Sequence, residues 1–299
     1  MLPMLLALAT AGAPRPRAVV RDTSDDVRAR IESRIRQVPG AEVGVAFRDL
    51  ARPDTLYLSA DVLFHAASTM KVPVMIELYR QHDRGALSLD RPVLLQNSFR
   101  SIVDGSPYTL DAGDDSDSSM YARAGQRVPV RELLEHMITR SSNLATNALI
   151  DLVGASASNA TAHALGARDM RVLRGVEDDK AFAAGMNNMT TARDLATLLT
   201  AIATHRAASA ASCDSMLAVL SRQEFNDEIP AGLPPGTRVA HKTGSITGHL
   251  HDAALVYLPG RAPYVLVVLT RGIKDEKVAQ RLIADISRIV YAHVTRAAA

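Results

Sequence analysis

The chain has 299 residues, of which 47% are hydrophobic, enough to bury a substantial core, so general disorder is excluded. Its 34 Lys and Arg against 32 Asp and Glu leave a net charge of +2, with no clustered basic face or interleaved aromatics, which argues against a nucleic-acid partner. Cys213 is the single cysteine, which excludes an internal disulfide and a cysteine-rich zinc site; it reads as a small core residue on a helix.

The start, residues 2–10, is a short apolar run followed by Ala11-Gly12-Ala13, the pattern of a signal peptide over residues 1–13, so a secreted or periplasmic location is expected. The run is too short to span a bilayer, so stable membrane insertion is not expected. Residues 22–37 carry Val27, Ile31 and Ile35 at four-residue spacing, a helix with one apolar face that Pro39-Gly40 ends. Val43, Val45 and Phe47 then alternate, as do Leu56 and Leu58 after a turn at Pro53-Asp54, which predicts a hairpin. From 68 to 221 the pattern is almost wholly helical, with helices expected at 69–83, 130–139, 143–153, 191–204 and 213–221. Strands return at 237–242, 251–258 and 263–270, and a last helix puts Val278, Leu282, Ile286, Ile289 and His293 on one face. The organisation expected is an α/β lobe of residues 14–67 and 222–299, with an all-helical lobe of residues 68–221 inserted into it and a cleft between them.

Three motifs stand out in order: Ser68-Thr69-Met70-Lys71, Ser141-Ser142-Asn143 and Lys242-Thr243-Gly244. Ser68 and Lys71, three apart on a helix, share one face, so the amine can approach the hydroxyl and accept its proton if burial disfavours its charge. The apolar Val72-Pro73-Val74-Met75 that follows points to such burial. A helix start also offers backbone N–H groups to developing negative charge. Lys242, Thr243 and Ser245 bring a cation and two hydroxyls to a strand edge, a clamp for a carboxylate, so the substrate should be an anion. Alternation puts Lys242 and Gly244 on one face and Thr243 and Ser245 on the other, so a twist or bulge at Gly244 is expected.

The ordered trio resembles the penicillin-recognising enzymes, and most closely the class A β-lactamases and related serine hydrolases. The resemblance extends to Val130-Arg131-Glu132-Leu133, Met137-Ile138-Thr139, Asn147-Ala148-Leu149-Ile150, Arg174-Gly175-Val176-Glu177 and Thr190-Thr191-Ala192. It implies a two-lobed α/β fold in which terminal helices cover an antiparallel sheet. It implies Ser68 as nucleophile, Lys71 as proton acceptor, and Ser141 as the donor to the leaving nitrogen. Asn143 would hold the substrate amide and the lysine, the N–H groups of Ser68 and Ser245 would form the oxyanion hole, and Glu177 would activate water. The sequence departs from the family at four points. Ser142 stands where class A enzymes usually carry Asp, Glu177 comes three residues after Arg174 instead of two, and position 181 is Ala. Asn188 stands roughly where the family has an aspartate paired with the arginine, and Asn187 is a second candidate to hold water.

The implied activity is hydrolysis of a small-molecule β-lactam, or of a D-Ala-D-Ala-like anion, by a monomer with no cofactor. A D-alanyl-D-alanine carboxypeptidase, a non-turnover β-lactam sensor and a general esterase or amidase remain alternatives. His249-Leu250-His251-Asp252 reads as a strand-surface pair and no metal is expected. Asp111, Asp114, Asp115 and Asp117 read as a solvated acidic loop at the cleft rim, with Tyr108 or Tyr121 lining it.

Overall fold

The computed structural model describes residues 24–296; the segment read as a signal peptide lies outside them. Helix α1 (Ser24–Arg36) opens with Asp25 and Asp26 and closes with Arg34 and Arg36, charges that complement the helix dipole at each end. It lays Val27 and Ile31 on a sheet built from β1 (Glu42–Asp49), β2 (Thr55–Leu58), β3 (Val239–Ile246), β4 (His249–Val256) and β5 (Tyr264–Arg271). The order is β2-β1-β5-β4-β3, with every neighbouring pair antiparallel. Strand β5, in the middle, is buried along all but its last residue, which explains its unbroken apolar run.

Both faces of the sheet are covered. On one face α9 (Glu276–Arg296) packs Leu282, Ile283, Ile286 and Val290 against Val45, Phe47, Leu266 and Val268. On the other, Ala46, Ala253, Val265, Val267 and Leu269 join the core of the helical middle. That middle is centred on α2 (Lys71–Asp83), whose first nine residues are all buried. Around it lie α3 (Val130–Thr139), α4 (Asn143–Val153), α5 (Ala155–Ala164), α6 (Asp179–Ala183), α7 (Ala192–Ala203) and α8 (Ala210–Leu220).

Several boundaries differ from expectation. The helix expected at 69–83 starts as a 3-10 turn, Ala67–Met70, before α2 takes over. Helix α8 begins three residues before 213 because the Ser209 hydroxyl caps it by accepting from the Ser212 N–H at 3.2 Å. The segment read as almost wholly helical also holds short ladders, Pro92–Leu94 with Arg127–Pro129 and Phe99–Arg100 with Pro107–Tyr108, too short to show a two-residue period. Strand β3 runs four residues past 242 and pairs with β4 in unbroken register from Val239↔Val256 to Ile246↔His249, so there is no bulge at Gly244.

Candidate active site

The fold brings the three motifs to one place. Edge strand β3 lies against the turn Ala67–Met70, and Gly244 makes that approach possible: a Cβ there would sit 3.1 Å from the Ser68 N, the Thr69 N and the Thr69 Cγ2. Glycine thus serves close backbone contact here. Thr69 Oγ1 donates to the Ala66 carbonyl at 2.6 Å and fixes the turn. Ser68 opens onto two adjoining cavities, of about 570 and 560 Å³. Asn143, Glu177, Phe182, Ser245 and His249 are among the residues that line the first, and Ser141, Asn143, Phe225, Thr243 and Lys277 among those of the second.

Lys71 is fully buried, and its ammonium donates to the Ser141 carbonyl (2.6 Å), the Ser141 Oγ (3.1 Å) and the Asn143 Oδ1 (3.0 Å). Burial, and after it the charge of Lys242, hold its pKa well below the ordinary lysine value, against the opposing pull of Asp115 and Glu177. Lys242, also fully buried, donates to the same Ser141 Oγ at 3.0 Å and to the Thr243 carbonyl at 2.9 Å. Burial pushes it down to about 7, while Asp252 and Glu228 favour its charge. One hydroxyl therefore joins two lysines, and a proton can pass among these three groups.

Asn143 links this pair to Glu177, with its Nδ2 donating to the Glu177 Oε1 at 2.6 Å. Glu177 is half-buried, and burial raises its pKa although the Asn143 hydrogen bond works the other way. Ala67, Ser141 and Glu177 adopt positive φ of 45°, 58° and 58°, unfavourable for residues with a Cβ, and all three border the cavities. Strain concentrated at one place is a mark of a functional site.

The segment carrying Glu177 is pinned by a residue to which the sequence assigned no role. Asn147 on α4 accepts from the Val176 N–H at 2.7 Å and donates to the Val176 carbonyl at 3.0 Å. Position 175 beside it has room only for glycine, since a Cβ there would fall 2.5 Å from the Asn147 Oδ1. The buried Arg174 guanidinium bonds the Met186 carbonyl (2.9 Å), the Gly175 carbonyl (3.0 Å) and the Asn187 Oδ1 (3.0 Å). Asn187 thus takes the guanidinium through its Oδ1 while lining the first cavity. Asn188 instead holds backbone, accepting from the Leu173 and Arg174 N–H groups and donating to the Arg174 carbonyl.

Two surface readings need correction. In the acidic loop Asp115 and Asp117 are buried: Asp115 accepts from the Asn143 and Leu144 N–H groups, and Asp117 meets the His136 Nδ1 at 2.5 Å. His251 is fully buried, bonding the His65 carbonyl through Nε2 at 2.9 Å and accepting from the Thr270 N–H at 3.2 Å. Burial drives it to about 4, so it stays neutral, and His249 is left on the cavity wall. Neither expected rim tyrosine lines the cavities; the Tyr108 hydroxyl reaches the Val176 carbonyl at 3.4 Å, at the base of the Glu177 segment. Among the described residues no group of three metal-ligating side chains occurs, and no helix is long and apolar enough to cross a membrane.

A sequence model of the beta-lactamase enzyme family matches residues 26–294. The chain belongs to that family. It is 30% identical to β-lactamase AST-1 of Nocardia asteroides, over 84% of this chain and 78% of that protein. The crystal structure of a β-lactamase from Sphaerobacter thermophilus matches with a TM-score of 0.76 at 29% identity, covering 89% of this chain and 97% of the other. The acyl-enzyme complex of a PBP-A point mutant with penicillin G matches with a TM-score of 0.77 at 28% identity, covering 91% and 97%. The fold is that of the class A β-lactamases. In the second motif the middle residue, Ser142, caps α4: its Oγ accepts from the Ala145 N–H at 3.2 Å.

Proposed function

We propose that this chain is a serine β-lactamase that opens the lactam amide through an acyl-enzyme on Ser68. Lys71 takes the Ser68 proton as Oγ forms the ester bond. Ser141 passes a proton to the departing lactam nitrogen, and Lys71 and Lys242, both on its Oγ, return it. The N–H groups of Ser68 and Ser245 receive the oxyanion, where one donor is worth about 3 kcal/mol in comparable sites. Lys242, Thr243 and Ser245 hold the substrate carboxylate, with Gly244 admitting the approach of the Ser68 turn. Glu177 then takes a proton from water as the water oxygen attacks the ester carbonyl, and when the ester bond to Ser68 breaks that proton is passed on to the Ser68 Oγ. The observation that carries this reading is the unbroken link Lys71–Asn143–Glu177 beside Ser68, which joins the acylation group to a carboxylate of raised pKa. Action outside the cytoplasm, as a monomer, belongs to the same proposal; the location rests on the apolar run and small residues of 2–13.

The match to PBP-A favours one rival, a penicillin-binding protein that acylates and does not turn over. An intact-mass time course with excess benzylpenicillin, beside Ser68→Ala, separates them. The expected result is a Ser68-dependent adduct that disappears as penicilloic acid accumulates. An adduct that persists for hours assigns the rival, and ring opening at the normal rate by Ser68→Ala removes both.

A further inference from the structure

The second motif carries no acid in this chain, yet a buried carboxylate occupies the same helix end. Asp115, from the loop of residues 111–117, is 7% exposed. Its Oδ1 and Oδ2 accept from the Asn143 N–H at 3.0 and 2.9 Å, and its Oδ2 from the Leu144 N–H at 3.0 Å. These are the first donors of α4, on the residue whose side chain touches both Lys71 and Glu177. The loop is fastened there: the Ser116 hydroxyl donates to the Arg140 carbonyl at 2.8 Å, and Asp115 Oδ1 accepts from the Asp117 N–H at 3.0 Å. Ser142 caps the same helix one donor further on, so the two side chains divide the task of one acidic cap.

We propose that Asp115 is a positioning residue that supplies, from a separate loop, the carboxylate that caps the helix end of the second motif, a place that the resemblance to class A enzymes gives to the middle residue and that Ser142 leaves uncharged here. It fixes the strained Ser141 turn and the Asn143 side chain, and its charge favours the protonated form of Lys71. The inference rests on the roles proposed above for Ser68, Lys71 and Ser141. The charged groups facing Lys71 are Lys242 on β3, Asp115 on its loop and Glu177 on the segment after Arg174; Tyr121 faces Asp115 itself.

The test compares the full chain with Asp115→Asn, Asp115→Ala, Ser142→Asp and the double variant Asp115→Ala/Ser142→Asp. The readout is the rate at which a fluorophosphonate labels Ser68 across pH, followed by intact mass. In that reaction the Ser68 Oγ–P bond forms, fluoride leaves and the serine proton passes to the lysine, with no lactam involved. We expect Asp115→Asn and Asp115→Ala to lose about tenfold or more in rate per folded molecule, as when a charged hydrogen-bond partner is removed. Their acidic limb moves to lower pH, because Lys71 loses a neighbouring negative charge, and Ser142→Asp in the Asp115→Ala background restores most of the rate. Wild-type rates and limb in both single Asp115 variants overturn the proposal even if their melting points fall, and so does a double variant no faster than Asp115→Ala. If Asp115→Ala does not fold, the near-isosteric Asp115→Asn alone decides on rate and limb. A wild-type chain labelled by the fluorophosphonate but not acylated by benzylpenicillin sinks the proposed function and leaves this comparison standing.

Discussion

Two lysines converge on one serine hydroxyl, and each is fully buried, so loss of solvent first and charged neighbours second set their protonation. Lys242 lies at about 7, so below that pH the free enzyme presents a cation to a carboxylate and above it the charge is lost. For an anionic substrate kcat/KM should therefore fall on a basic limb near pH 7, and Lys242→Arg, which stays charged, should carry that limb upward. A profile of kcat/KM against pH checks it; an unmoved limb in the variant assigns the titration to another group. Glu177 is shifted upward by burial, so the folded state binds its proton more tightly than the unfolded state does. Its ionisation costs no stability below the unfolded pKa, and the cost is complete once pH exceeds the folded value. Glu177→Gln should thus melt on the order of 2 °C higher at pH 7, a small gain because the open cleft screens the charge, and the gain should vanish in acid. Scanning calorimetry at pH 7 and pH 4 reads both. Ser68 and Lys71 could be paired from their spacing of three along one local segment, whereas Lys242, on a distant strand, was joined to them only through the resemblance of the ordered motifs. Asp115 was not legible, because no local spacing connects it to Asn143, and an acidic run reads as solvated until the fold buries it.

Elements were legible where a period marked them and obscure where function interrupted it. Strand β3 was expected to end at Lys242, yet Thr243, Gly244 and Ser245 continue it: the weak strand propensity of Gly244 is overridden by ladder bonds to β4. Helix α5, of sequence ASASNATAHA, has almost no apolar period, and α6 has only five residues, so neither could be read. The segment between Arg174 and Asn188 was recognised only through its resemblance, and its hold on Arg174 had to be seen. The sequence suggested that Asn188 turns a family ion pair into a hydrogen bond; the neutral partner of the guanidinium is Asn187. Among the described residues its hydrogen-bond acceptors are all uncharged, and burial lowers its pKa. Asn187→Asp would make the 3.0 Å contact charge-assisted, worth about 1 kcal/mol more than a neutral bond. Slower amide exchange across residues 174–188 and a slightly higher melting point are expected. Unchanged exchange would mean that Asn147 and Asn188 already hold the segment.

At the scale of the whole molecule one helix serves both stability and the cleft. Helix α9 covers the sheet through Leu282, Ile286 and Val290, while its first turns put Glu276, Lys277 and Gln280 on the wall of the cavity beside Thr243. The chain returns from the helical middle to β3 through a 3-10 turn, Pro230–Gly232, pressed against this helix. The Ser287 hydroxyl donates to the Ile229 carbonyl at 2.8 Å, and Asp252 on β4 accepts from the Ile229 N–H at 3.1 Å, so the turn ties helix to sheet just behind the carboxylate clamp. Gly232 sits where no side chain fits: a Cβ would overlap the Ala284 carbonyl oxygen and fall 2.8 Å from the Ser287 Cβ. The nearer obstacle is helix backbone, which cannot turn aside as a side chain could. Gly232→Ala must lift the turn or displace α9, and overpacking of this kind costs about 3 kcal/mol, or roughly 5 °C in melting point for a chain of this size. Because the displaced turn adjoins Glu228 and the Thr243 wall, KM for an anionic substrate should rise, while kcat, set by Ser68, Lys71 and Glu177, should change less. A melt and a kinetic split on one preparation decide both parts. A variant with the parental melting point would mean the turn is not anchored on α9 as described, and a fall in kcat equal to the rise in KM would mean the two sides of the cleft move as one body.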